Sequence, residues 1–238
     1  MTENSIPVIT IDGPAGSGKG TIARQVASTL KYHYLDSGAM YRVLSLLSQQ
    51  KEIEVDDIQG LVSLCAEMNV RFGFDAQNMS AQTQANDQQE NVPVFLNEYE
   101  VSGELRTEDC ASRASELASL QQVRAALLEK QHSFRQLPGL VAEGRDMGTV
   151  VFPDAERKIF LTASPHERAL RRQKQLKKQG ISASLGPLLK EIETRDSRDQ
   201  NRNVSPLRPA DDALLVDSTN LSIQQAVDRI AEIVRGGH

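Results

Sequence analysis

Nine residues near the N-terminus, Gly13-Pro14-Ala15-Gly16-Ser17-Gly18-Lys19-Gly20-Thr21, constrain this chain more than any other stretch. They follow Val8-Ile9-Thr10-Ile11-Asp12, which reads as a buried strand. They precede a helix carrying Ile22, Ala23, Val26, Ala27 and Leu30 at helical spacing. Glycines let successive backbone N–H groups turn inward as an anion nest, and the helix N-terminus adds the positive end of its dipole. Lys19 supplies a mobile charge that can reach the outer phosphates of a nucleoside triphosphate. The rival dinucleotide fingerprint, G-x-G-x-x-G, would need glycine at Ala15 or Thr21. The hydroxyl that usually follows the lysine comes one residue late, at Thr21, which is the candidate magnesium ligand.

The rest of the chain alternates between strand and helix signals. Tyr32 to Leu35, Leu140 to Ala142, Lys158 to Thr162 and Ala213 to Val216 read as four further core strands. Helical patterns cover Gly38–Ser48, Asp56–Met68, two stretches before Pro138-Gly139, Pro165 to about Gly180, Pro187–Asn201, and a last amphipathic segment opened by Ser222-x-x-Gln225. Ser119-x-x-Gln122 reads as a second capping box. Strands alternating with helices predict an α/β fold with a five-stranded, mostly parallel sheet and helices on both faces. Between Val70 and Val101 the period changes to two, predicting a small antiparallel excursion. Its tip, Asp75–Asn91, is rich in Gln and Asn and reads as a solvated loop. The helix after Ser164-Pro165-His166-Glu167 is polar and basic, with little to bury, and is expected to cover something rather than to sit in a core.

Composition excludes several classes. No apolar run approaches the roughly 20 residues of a spanning helix, and the polar start lacks a secretory pattern. A cytoplasmic protein without a membrane role is expected. Cys65 and Cys110 are far apart and fall on apolar helical positions, so they read as reduced core thiols. A net charge of −5 argues against general nucleic-acid affinity. Yet arginines crowd between Arg168 and Arg208, and a basic cluster on an acidic protein points to a small, polyanionic ligand held at one place.

Two loops at strand ends carry candidate ligands, as parallel sheets dispose. In Asp36-Ser37-Gly38-Ala39-Met40-Tyr41-Arg42, Arg42 fits either an acceptor-phosphate ligand or a surface arginine on an amphipathic helix. In Glu143-Gly144-Arg145-Asp146-Met147-Gly148, adjacent charges sit between two glycines, which a mere change of chain direction does not require. Arg195, Asp199 and Arg202 share one helical face at i, i+4 and i+7, continuing back to Ile192 and Leu188.

Together with Val101-Ser102-Gly103-Glu104, these motifs resemble the bacterial cytidylate kinases over nearly the whole chain, from about Pro7 to Ser218. The resemblance implies a single P-loop kinase unit over residues 1–238, with a monophosphate-binding insert at 40–138 and a lid at 164–205. It implies transfer of the γ-phosphoryl group of ATP to CMP, and to dCMP, with Mg²⁺, in pyrimidine nucleotide metabolism. It also implies that Ser37, Tyr41, Arg42, Arg145 and Arg202 hold the acceptor phosphate and nearby sugar. Arg195 and Asp199 would contact the ribose, and Ser115, Arg124 and Asp146 would read cytosine.

Cytosine offers an amino donor at N4 and acceptors at N3 and O2, matching a carboxylate or hydroxyl and an arginine; uracil reverses that pattern. Glu143 stands where this family has Asp, and is a candidate to hold magnesium through water. Lys19, Arg145, Arg202 and one lid arginine are expected to neutralise the moving phosphoryl group. Among Arg168, Arg171 and Arg172, Arg171 is the first choice for ATP. The acceptor is already an anion, so no general base is named.

Two rivals remain in view. A different small-molecule P-loop kinase would lack the base-reading trio. A GTP-binding switch would carry an Asn/Thr-Lys-x-Asp motif, which is absent from the sequence. The chain is expected to act as a monomer on small nucleotides.

Overall fold

The computed structural model describes residues 6–73, 92–178 and 180–236. Within these, strands β1 (Val8–Asp12), β2 (His33–Asp36), β6 (Leu140–Gly144), β7 (Arg157–Thr162) and β8 (Leu214–Asp217) form one sheet in the order β2-β6-β1-β7-β8. The β1–β7 and β7–β8 pairs are parallel, with Ile11 opposite Ile159 and Leu161 opposite Val216. β1 and the start of β6 are buried on both faces, which is why they read as unbroken apolar runs rather than alternating ones. The five expected strands are all present, each within a residue or two of its sequence boundary.

The chain divides into two compact units, residues 1–8 with 27–142, and 9–26 with 143–238. In the first, β3 (Val70–Phe72), β4 (Val94–Leu96) and β5 (Tyr99–Glu100) make the expected small antiparallel sheet, with Arg71 opposite Phe95. The Gln/Asn-rich stretch lies outside the described residues. Helices α2 (Ser37–Gln50), α3 (Ile58–Glu67), α4 (Glu108–Leu117) and α5 (Gln121–His132) bury Leu44, Leu61, Leu64, Leu117 and Leu127. Both cysteines are buried and unbridged, and burial pushes the Cys65 thiol up to about 11.

One predicted cap is corrected here. α5 begins after Leu120, with no side-chain cap bond. Ser119 instead closes α4, its hydroxyl donating to the Glu116 carbonyl at 2.6 Å. A serine between two helices can serve either end, and here the preceding helix's spare carbonyl claims it.

In the second unit, α1 (Lys19–Leu30), α6 (Pro165–Lys178), α7 (Leu185–Gln200) and α8 (Ile223–Arg235) accompany β1, β7 and β8. The capping box at the start of α8 forms as predicted, Ser222 and Gln225 bonding each other's backbone N–H. The expectation that α6 has little to bury is corrected. Ala169 is fully buried with Leu188 and Ile192 of α7, and Leu176, Leu185 and Leu189 pack against them. The helix pair has a small core of its own, which the many charges of α6 hide from a composition count. No described helix is long and apolar enough to cross a membrane.

Candidate active site

The glycine-rich segment joins β1 to α1 as anticipated, with Lys19, Gly20 and Thr21 already forming the first turn of α1. Gly16 and Gly18 take φ values of +75° and +89°, which side chains resist, and this is what turns the loop back over the helix start. Lys19 Nζ donates to the Pro14 carbonyl at 3.2 Å, folding the ammonium across the nest. A Cβ on Gly20 would lie 2.9 Å from Glu143 Oε1, so this carboxylate rests against the start of α1. Glu143 is buried at the end of β6, its carboxylate close beside the first turn of α1, which also carries Thr21.

Around this loop the second unit assembles its charges in pairs. Arg168 is 3% exposed. Its Nε donates to the Ala163 carbonyl at 3.0 Å and its Nη1 to the Ala15 carbonyl at 3.1 Å, while both terminal nitrogens clasp the Asp196 carboxylate. Arg171 donates from Nε to Glu167, and from its terminal nitrogens to the carbonyls of Ser17 and Ser218 and the Ser218 hydroxyl. Its Nη1 stands 3.6 Å from the position of a Cβ on Gly18. Arg172 is directed to Gln175 on its own helix.

Asp199 lies on the same helix as Asp196 and is 1% exposed. It accepts from Arg145 Nε at 2.9 Å and from Arg202 Nη2. Burial alone would raise its pKa, but Arg145 and Arg202, with Arg195 nearby, hold it below the ordinary carboxylate value. Three of the chain's own carboxylates, Asp196, Asp199 and Glu167, sit among the crowded arginines.

In the first unit, Asp36 caps α2, accepting the Ala39 N–H at 2.9 Å. That helix buries Ser37 and Tyr41 and carries Arg42. Arg124 of α5 donates to the Ala118 carbonyl at 3.0 Å and lies 5.9 Å from the Tyr41 ring centroid. Ser115 is buried on α4, the helix whose Cys110 thiol donates to the Arg42 carbonyl. The fold so groups Ser37, Tyr41, Arg42, Ser115 and Arg124 in one unit, and the phosphate loop, Glu143, Arg145, Asp146, Arg195, Asp199 and Arg202 in the other. In the Val101-Ser102-Gly103-Glu104 motif, Ser102 Oγ accepts the Val94 N–H at 2.9 Å and donates to Glu100, a structural task.

Four residues escaped the sequence reading: Asp12, Asp196, Ser218 and Arg168 in its structural role. Ser218 Oγ lies 3.1 Å from the Ser17 carbonyl and 3.0 Å from that of Thr162. Asp12 is a buried carboxylate whose pKa rises to about 7, mainly through burial. The only sequence signal for it was a charge closing an apolar strand directly before the glycine loop.

The cytidylate kinase family model matches residues 9–236. The chain belongs to the cytidylate kinase family. A cytidylate kinase of Nitrosococcus oceani is 52% identical over 231 residues, covering 97% of each chain. One from Klebsiella pneumoniae is 49% identical over 236 residues, covering 99% of this chain and 97% of its own. Among solved structures, a shikimate kinase from Bacteroides thetaiotaomicron aligns at 12% identity with a TM-score of 0.44, covering 97% of this chain and 99% of that one. As a member of its family, the chain is a phosphotransferase built on a P-loop.

Proposed function

We infer that the chain transfers the γ-phosphoryl group of ATP to CMP, giving CDP and ADP, and that it also accepts dCMP. Beside the family membership, one observation carries this reading: a glycine nest with Lys19 folded across it belongs to the same unit as Arg145 and Arg202 paired on the buried Asp199.

Gly13, Pro14, Ala15, Gly16, Ser17, Gly18, Lys19, Gly20 and Thr21 bind the ATP phosphates, largely through backbone N–H groups. Arg171, already within reach of Gly18, adds charge at the triphosphate. Arg168, only 3% exposed and tied to Ala163, Ala15 and Asp196, holds the loop, whereas Arg171 keeps 29% of its side chain open to ATP. Arg42, Arg145 and Arg202 neutralise the acceptor phosphate, with Ser37 and Tyr41. Arg195 and Asp199 hold the ribose, and Ser115, Arg124 and Asp146 read cytosine. The acceptor's phosphate oxygen attacks as an anion, so these groups align and neutralise without removing a proton.

The residues present fit a magnesium ion. A buried carboxylate beside the first turn of α1 is the kind of hard oxygen donor such an ion takes, directly or through water. Thr21 and Glu143 would hold it, and when bound it spreads the charge of the ATP oxygens.

Residues 164–205 form a lid whose closure over ATP excludes water, and residues 40–138 form the monophosphate-binding insert of a single kinase unit. The chain works as a cytoplasmic monomer on small nucleotides; its net charge of −5 speaks against nucleic acid as the acceptor.

Arg124→Ala and Asp146→Ala test the assignment. Both should cut kcat/KM for CMP by about 100-fold or more while leaving ATP binding within about threefold. Equal losses for CMP and ATP would overturn it.

A further inference from the structure

Asp12 ends β1, the residue before the phosphate loop, and is 5% exposed. Its two carboxylate oxygens are both engaged by one segment. Oδ1 accepts the Met147 N–H at 2.9 Å and Oδ2 accepts the Gly148 N–H at 2.8 Å. These two N–H groups open a single π-helical turn, Met147–Val151, and the first donors of any helical turn have no partner within it. The residue at the cap position, Asp146, makes no side-chain cap bond to them. The cap is supplied instead from another strand, 135 and 136 residues earlier in sequence.

Two more contacts hold the same turn to β1. The Gly13 N–H donates to the Gly144 carbonyl at 3.3 Å. A Cβ on Gly148 would lie 2.8 Å from Thr10 Oγ1, so the backbone there rests directly on the strand. Arg145 and Asp146 sit between these anchors.

A buried carboxylate is costly, and here its neighbours oppose one another. Burial and the nearby Asp146 charge raise its pKa, while the Gly148 and Met147 N–H groups and Lys19 lower it. Two converging N–H donors explain why a carboxylate is kept. It offers an acceptor to each, whereas an asparagine would turn its amide donors toward one of them.

We propose that Asp12 is a positioning residue for choice of the acceptor base: by capping the Met147–Gly148 turn it sets the place of Asp146 and Arg145 relative to the phosphate loop. This rests on the reading of Asp146 as a contact to cytosine. Neither oxygen of Asp12 has to touch substrate for the effect to be felt, since a shift of about an ångström in a base-reading carboxylate is enough to cost selectivity.

The test compares Asp12→Asn with Asp146→Asn in the full chain. Each is assayed for kcat/KM with CMP and with UMP, for the KM of ATP, and for the thermal midpoint. The proposal expects Asp146→Asn to lower the CMP/UMP ratio strongly. It expects folded Asp12→Asn to lower that ratio by about tenfold or more with the KM of ATP within about threefold. If Asp146→Asn loses the ratio and folded Asp12→Asn keeps it, the positioning role is overturned and the reading of Asp146 stands. If Asp146→Asn keeps the ratio, the reading of Asp146 fails and takes the inference with it. Should Asp12→Asn not fold, Gly148→Ala displaces the same turn against Thr10. A lowered ratio there supports the proposal, and a wild-type ratio overturns it.

Discussion

Asp196 and Asp199 stand one helical turn apart on α7, and each clasps an arginine from elsewhere in the chain, yet the two clusters are built for different work. Around Asp196, the Arg168 guanidinium commits four donors: two to the carboxylate, one to the Ala163 carbonyl and one to the Ala15 carbonyl of the phosphate loop. Around Asp199, Arg145 spends Nε on the carboxylate and makes only a 3.4 Å contact from Nη1 to the Gly144 carbonyl, leaving Nη2 in hand at a side chain 18% exposed. A guanidinium has five N–H donors. Where four are committed and the side chain is buried, as at Arg168, the group is a clamp; where surface stays open, as at Arg145 and at the 29%-exposed Arg171, it can take an incoming phosphate. Residue type and charge do not separate these cases, but the exposure each side chain keeps does.

Substitutions at the two clusters should separate activity from stability. The largest expected effect is on catalysis: Arg145→Ala should lower kcat/KM for CMP by about 1,000-fold, with a thermal midpoint shifted by only a few degrees, because Arg202 still partners Asp199. Asp196→Ala should do the reverse. It leaves the Arg168 charge buried without its carboxylate, a loss of about 3–5 kcal/mol by urea unfolding. A normal unfolding curve for Asp196→Ala, or a collapse of the fold for Arg145→Ala, would erase the distinction.

These outcomes concern contacts that local pattern does not encode. The strands, the glycine loop and most helices were legible, because apolar periodicity and glycine placement act over a few neighbouring residues. Arg168 and Asp196 are 28 residues apart, and Asp12 is more than 130 from the turn it caps. A sequence shows that arginines crowd, but not which carboxylate each one finds. The same holds for Ser119, whose hydroxyl could serve either of two helices. Glu143 and Gly20 were each legible as departures from pattern, but only the structure shows that they are neighbours.

Two smaller effects sharpen the contrast. Arg168→Lys keeps the charge but loses the planar fork, and should cost about 2 kcal/mol of stability, with kcat lowered less than in Arg145→Ala. Asp199 gives the smallest signal, in acid. Its pKa lies below the ordinary value because Arg145 and Arg202 outweigh the penalty of burial. The resulting stabilisation is present above the unfolded carboxylate pKa, about 4, and is lost as pH falls through the lower folded pKa. Unfolding free energy measured from pH 6 downward should therefore fall less steeply below about pH 4 in Asp199→Asn than in the parent chain. Parallel curves would mean that the cluster does not hold Asp199 ionised.

The central claim, phosphoryl transfer from ATP to a cytidine monophosphate selected by its base, is tested most directly by an ADP-release assay with ATP and Mg²⁺. CMP, dCMP, UMP, AMP and GMP are offered in parallel. The account predicts rapid turnover with CMP and dCMP, and rates with the other three lower by about 100-fold or more. Turnover with UMP equal to that with CMP would contradict the base-reading role given to Asp146, and activity with none of the five would contradict the choice of acceptor itself.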